Sequence, residues 1–164
     1  MFNWLGYREM LSSIDTHANQ YKGNNMIEIK EKQLTAEQFI FLFNSAGWNP
    51  PLKEQIAKAL ANTLCAFSIY DDGKPIGMGR LMGDCAMSYY LKDVAVLPEY
   101  QNKGIGKKLM QYIISYVKKQ LPPGWKVSIE LISTKGNEGF YRKLGFEERP
   151  SDSDGAGMFI MVER

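Results

Sequence analysis

The chain is expected to fold as a mixed α/β sheet with a parallel crossover near its centre, and three features of the sequence carry that expectation. The strand-like run Ser88 to Leu97 leads through a glycine turn into the most regular amphipathic stretch, Gly104 to Gln120, and then into a second strand-like run, Lys126 to Ile132. Two further apolar runs, Leu64 to Tyr70 and Pro75 to Met82, flank Asp71-Asp72-Gly73-Lys74, which carries hairpin chemistry. A helix, strand, strand pattern closes the chain.

Taken in order, residues 1–25 show no sustained period and end in the breaker Gly23-Asn24-Asn25, so they read as an appendage to one domain over residues 26–164. A short packed helix through Trp4, Leu5 and Met10 is the alternative for that segment. Ile27 to Lys30 is the first strand-like run. Thr35-Ala36-Glu37-Gln38 has the form of a capping box and opens a helix through Phe39, Leu42 and Phe43. After a loop from Asn44 to Pro51, Leu52, Ile56, Ala59 and Leu60 mark one face of a second helix. In the helix from Gly104, the residues Ile105, Leu109, Tyr112, Ile113 and Tyr116 form the apolar stripe, and Lys107, Lys108, Lys118 and Lys119 the wet face. Pro122-Pro123-Gly124 ends it. A short helix from Glu138 to Leu144 stops at Gly145, a good C′ residue, before strands near Phe146 to Arg149 and Met158 to Val162.

Composition bounds the function. The chain has 164 residues with 45% hydrophobic content, enough for one domain with its own core. A net charge of +2 argues against a nucleic-acid surface, and the sequence holds no run of eighteen apolar residues to span a membrane. Tyr7, Arg8 and Glu9 interrupt any signal-type stretch at the start. Two cysteines, Cys65 and Cys85, without metal-type spacing suggest a reducing compartment, and the cytoplasm is expected. No metal is expected. The single histidine, His17, lies in the weakly patterned first segment, which disfavours histidine chemistry.

The turn Gln101-Asn102-Lys103-Gly104-Ile105-Gly106, continuing into Lys107, reads as a phosphate-binding turn. A strand that ends in glycines and opens a helix aims unpaired N–H groups and the positive end of the helix dipole at one point. A Walker A loop would need glycine at Gln101 and Ser or Thr at Lys108, and a dinucleotide fingerprint would need glycine at Leu109, so both nucleotide motifs fail. The run Gly77, Gly79, Gly83 has no helix after it and reads as a strand with close backbone approach.

Gln101-x-x-Gly104-x-Gly106, preceded by Asp93-Val94-Ala95-Val96-Leu97-Pro98, resembles the acetyl-CoA-binding motif of the GNAT acetyltransferase superfamily. Gly139-Phe140-Tyr141-Arg142-Lys143-Leu144-Gly145-Phe146 is similar to that family's late helix, and the resemblance runs from about Ile27 to Val162. It implies a mostly antiparallel sheet of about six to seven strands, a parallel pair at the cofactor cleft and about four flanking helices. It also implies direct acetyl transfer from acetyl-CoA to a primary amine, with the pantetheine arm along the backbone of Val94, Ala95 and Val96 and the pyrophosphate at Gln101 to Lys107. An N–H near Val96 would stabilise the developing oxyanion. Tyr141 matches the family's general acid, which protonates the departing sulfur. Many relatives have Asn seven residues before that Tyr; Thr134 stands there and Asn137 is displaced, so both are carried as polar contacts to coenzyme A.

Asp93, at the mouth end of an apolar strand, is the chosen general base over Glu130 and Asp84; a purely structural Asp is the alternative. Cys85 is expected to be incidental. Trp48, Tyr89 and Tyr90, with Phe43, are candidates to line an aromatic acceptor pocket, with Asp84 or Asp93 attracting the amine. The runs Gly77-Met78-Gly79-Arg80, Lys92-Asp93-Val94 and Gly157-Met158-Phe159 resemble the bacterial and plastid branch that includes serotonin-type arylalkylamine acetyltransferases. The expected partner is therefore a small aromatic or polyamine-like amine, with neither nucleic acid nor membrane, and a homodimer by analogy. A protein N-terminal or lysine acetyltransferase and a non-catalytic acyl-CoA-binding module remain the alternatives.

Overall fold

The structure is a computed structural model and describes residues 27–158, 160 and 161. The readings of residues 1–25, His17 included, lie outside the described residues. Five strands form one sheet in the order β1-β2-β3-β4-β5. They are β1 (Ile27–Glu31), β2 (Cys65–Asp71), β3 (Lys74–Gly83), β4 (Ser88–Val96) and β5 (Ser128–Leu131). The first four pair antiparallel in chain order, and β4 pairs parallel with β5.

Helix α1 (Ala36–Ser45) starts where its chemistry says it should. The Thr35 hydroxyl accepts from the Gln38 amide and the Gln38 side chain accepts from the Thr35 amide, both at 3.2 Å. Such a cap contributes about 1 kcal/mol. Helix α2 (Lys53–Ala61) buries Ile56, and α3 (Ile105–Gln120) buries Leu109, Met110, Ile113 and Val117. Tyr112, expected on the stripe, lies at its margin and donates to the Glu31 carboxylate at 2.8 Å. A short helix, α4 (Glu138–Arg142), comes after β5.

Every residue of β2 is buried, because helices cover both faces of the sheet. Ala66 joins Phe39, Leu42, Ile56, Met78 and Ala95 in the α1 and α2 cluster. Its neighbours Cys65 and Phe67 join Leu91, Leu109, Met110 and Ile113 in the α3 cluster. Close approach of α3 shows at Gly79, where a Cβ would stand 3.2 Å from the Ile113 methyl.

The sheet has five strands among the described residues, fewer than the six to seven expected, and the difference lies after α4. Residues 146–149 are not a strand, nor are Met158, Ile160 and Met161, whose side chains are exposed. Local bonds take the donors there. The Phe146 amide donates to the Tyr141 carbonyl, and the Ser151 hydroxyl accepts from the amides of Ser153 and Asp154.

One irregularity positions the site. The pairing of β3 with β4 runs Met78 to Ala95 and then Arg80 to Lys92, so Asp93 and Val94 together stand opposite Gly79. This is a β-bulge, and Asp93 takes the left-handed backbone conformation within it, at φ 54°.

Candidate active site

The turn before α3 is exposed from Gln101 to Gly104. Gly104 has φ 80°, a conformation that glycine takes without strain, and it forms the N-cap of α3 with no side chain bonded to the helix end. No acidic residue stands in the first turn, and Lys107 and Lys108 are exposed beside it. The first amides of α3 therefore have neither a side-chain cap nor a carboxylate of the first turn against them. Gly106 is packed more tightly: a Cβ there would stand 3.3 Å from the Phe140 ring, which ties the turn to α4. Gln101 donates from Nε2 to the Val96 carbonyl at 3.0 Å, folding the turn back on β4.

The parallel register between β4 and β5 ends at the pair Leu91 and Leu131. Beyond it, Val94, Ala95 and Val96 pair with no strand other than β3 among the described residues, so the far backbone edge of β4 carries no strand there, and the Val96 carbonyl takes the Gln101 side chain. A single 3-10 turn, Pro98–Tyr100, joins that edge to the Gln101 turn. Tyr141, Phe140 and Phe146 pack edge to face, with ring centroids 5.0 and 5.8 Å from Tyr141. Burial raises the Tyr141 phenol above its ordinary value, so it keeps its proton to higher pH than a free tyrosine does. Thr134 and Asn137 are exposed on the connection to α4, where the Asn137 amide donates to the Thr134 carbonyl at 3.0 Å.

Asp93 is held by Arg80, whose Nε lies 2.6 Å from Oδ2, and both side chains are only 12% exposed. Arg80 also donates from Nη1 to the Thr63 hydroxyl at 3.0 Å, and its guanidinium carbon lies 5.7 Å from the Phe39 ring centre. The pair faces a cavity of about 230 Å³ between α1, α2 and the bulge, whose lining includes Phe39, Phe43, Gln55, Ile56, Lys92 and Asp93. Trp48 packs edge-on against Phe43, at 4.9 Å between ring centroids, but is itself not among the residues lining the cavity.

The other expected acceptor residues stand elsewhere. Tyr89 is buried in the α3 cluster, because alternation along β4 turns it to the core. Tyr90 is half-buried opposite Glu130 in the parallel register, and burial first, then the Glu130 charge, raise its phenol. Asp84 Oδ1 accepts from the amides of Ala86, Met87 and Ser88, which hold its carboxyl below the ordinary range and fix the connection into β4. Glu130 accepts from the Ser128 hydroxyl and lies 3.6 Å from Arg149. Cys85 is an exposed thiol. Of the three carboxylates weighed as a base, Asp93 alone is among those lining the cavity. The sequence reading gave Arg80, Lys92, Phe39 and Gln55 no site role, although Arg80 and Lys92 stand in the runs that carry the branch resemblance; the signal for Arg80 was a charge inside an otherwise apolar strand.

Residues 62–148 match the model of the acetyltransferase (GNAT) domain family. A GNAT family acetyltransferase structure from Streptococcus pneumoniae is 31% identical, covering 84% of this chain and 100% of that one, with a TM-score of 0.68. The protein named "Uncharacterized N-acetyltransferase ycf52" of Porphyra purpurea is 31% identical over 144 residues, 81% of this chain and 79% of that one. "Histone acetyltransferase TAP1" of Glycine max is 30% identical over 154 residues, 79% of this chain and 65% of that one. With the bulged β4, its open edge and the uncapped α3 in place, these matches put the chain in the GNAT family, as an acyltransferase of the N-acetyltransferase type.

Proposed function

We propose that the chain transfers an acetyl group from acetyl-CoA to the primary amine of a small molecule with an apolar, aromatic body. The observation that carries this reading is the bulged half of β4. On one side it offers the backbone edge of Val94 to Val96 that carries no further strand, leading to the α3 amides, and at its start Asp93 lines a cavity walled in part by Phe39, Phe43 and Ile56. Acetyl-CoA fits this donor set as an anionic ligand with an extended arm: Gln101 to Lys107 would hold the pyrophosphate, and Val94 to Val96 the arm. Thr134 and Asn137 are carried as further polar contacts.

Bound there, acetyl-CoA supplies the acyl group as a thioester, whose C–S bond breaks as the amine nitrogen forms the amide bond. The chain moves the protons. Asp93 Oδ2 is bonded to Arg80, so Oδ1 is the oxygen left to take the ammonium proton, directly or through water. Tyr141, a neutral phenol whose burial raises it further, gives a proton to the departing sulfur. Two free thiols support a reducing compartment, with the cytoplasm as the proposed location.

A second reading, transfer to a protein amine, is favoured by the likeness to a relative named as a histone acetyltransferase. One assay separates the two. Acetyl-CoA-dependent thiol release is measured with arylalkylamines, polyamines, aminoglycosides and lysine peptides, less the amine-free rate. Saturable turnover of the aromatic amines is expected. Turnover of peptides alone would establish the second reading, and no amine above background would leave a non-catalytic acyl-CoA-binding module.

A further inference from the structure

We propose that the cavity beside the bulge selects amines of amino-acid type, in which an anionic group lies within a few atoms of the reacting nitrogen, and that Lys92 reads that group. The inference rests on the proposed function, in which this cavity takes the acceptor. In a regular strand, consecutive side chains point to opposite faces. The left-handed turn at Asp93 breaks that alternation, and Lys92 and Asp93 line the same cavity. A carboxylate suited to an ammonium and a cation suited to an anion therefore stand on adjacent residues.

The charges of the lining point the same way. Its charged residues are Arg80, Asp93 and Lys92. Arg80 Nε and Asp93 Oδ2 pair at 2.6 Å and cancel in net charge, while Asp93 Oδ1 stays outside the pair and can meet an ammonium; the remaining Arg80 bond goes to Thr63. Lys92 is exposed at the rim and forms no ion pair among the described residues. One positive charge is left without a partner, beside walls formed by Phe39, Phe43 and Ile56 that focus its field. Polyamines, aminoglycosides and basic peptides bring several positive charges and are repelled. An apolar molecule with one amine and one carboxylate meets the apolar walls, Asp93 and Lys92 together.

The test uses the purified full chain and two matched pairs of acceptors that differ only in the carboxylate: phenylalanine against phenethylamine, and tryptophan against tryptamine. The ratio of kcat/KM within each pair is measured for the unaltered protein, Lys92→Gln and Lys92→Glu, with spermidine as the cationic control. The carboxylate member is expected to be preferred, by about fivefold for one exposed charge pair. Lys92→Gln removes that preference, Lys92→Glu reverses it, and spermidine gains in Lys92→Glu. Thermal melts check that the variants are folded. A ratio that does not depend on residue 92 overturns the proposal.

Titration calorimetry of the same pairs, with coenzyme A present, reads binding without transfer. Tighter binding of the carboxylate member that is lost in Lys92→Glu, with no turnover of either, supports the charge selection while overturning the transfer reading. Equal binding of both members, or of neither, overturns the selection itself.

Discussion

The two ends of the bulged half of β4 meet their polar groups in opposite ways. At Asp93 the protein supplies its own partner: Arg80 lies 2.6 Å away, and both side chains are 12% exposed. At the other end, beyond Gln101, α3 begins with no side-chain cap, no acid in its first turn and an exposed glycine turn. Polar groups answered internally set the shape of the backbone. Those left open are available to hold something else. Asp93 Oδ2 belongs to the first kind, since a left-handed Asp costs about 1 kcal/mol unless its surroundings fix it, and only Oδ1 is left over. The α3 amides belong to the second.

The largest effect should come from emptying the filled end. Arg80→Ala leaves a partly buried carboxylate without its partner and removes the bond to Thr63, which should cost about 3 kcal/mol. The melting temperature should fall by roughly 10 °C. Arg80→Lys should recover less than half of that, because an ammonium cannot bond Asp93 and Thr63 in the same fork. A double variant, Arg80→Ala with Asp93→Ala, should melt above the single one. If Arg80→Ala melts as the unaltered protein does, the pair does not hold the bulge.

Tyr141 is the next way to sharpen the contrast, since packing holds its ring by edge contacts while burial raises its phenol. Tyr141→Phe keeps those contacts and removes only the proton donor. Turnover should drop about a hundredfold, with little change in KM for acetyl-CoA. Because the phenol is raised, its own loss of turnover should lie on the alkaline side of the ordinary tyrosine value near 10 and leave the neutral range flat. Unchanged turnover would remove the acid role.

Much of this was legible because it is local. The capping box at Thr35, the Asp72-Gly73 turn and the amphipathic α3 each depend on residues a few positions apart, and each formed as read. The open end of β4 was legible for the same reason, being a turn that leads into its own helix. The filled end was not. Arg80 and Asp93 are thirteen residues apart in the chain and meet only through the β3 and β4 register, and a one-residue bulge leaves no trace in a hydrophobic pattern. Tyr89 and Tyr90 show the same limit. The residue type suits an aromatic pocket, yet alternation sends one to the core and the other to the parallel seam. The apolar residues Met158, Ile160 and Met161 suit a strand, but a strand also needs a distant partner that sequence does not name.

Charge reversal at the open end should separate stability from binding. Lys107→Glu puts an acid in the first turn of α3, where the helix dipole favours it, by about 0.3 to 1 kcal/mol. The same change opposes a phosphate at that point. The variant should therefore melt slightly higher while KM for acetyl-CoA rises about tenfold, and added salt should shrink both effects. A filled polar end would lose on both counts, so opposite signs identify an end left open for a ligand. Lower stability together with unchanged KM would place the phosphates elsewhere.

The smallest effect tests whether a filled pair needs burial to matter. Glu37, in the first turn of α1, lies 2.6 Å from Lys53 on α2, with both side chains more than half exposed. Its carboxyl is lowered from 4.5 to about 2, chiefly by the bond from Lys53, then by its own backbone amide and Thr35. A carboxyl lowered on folding adds stability that is present above its unfolded value and is lost as pH falls through the folded one. The difference between Glu37→Gln and the unaltered protein should thus be constant above about pH 5, shrink below 4.5 and vanish near 2. Being exposed, it should also fade in salt, unlike the Arg80 effect. The two pairs have the same length, 2.6 Å, so the surrounding protein and not the distance makes one of them hold the bulge. A salt-resistant Glu37 effect as large as that of Arg80→Ala would break this argument.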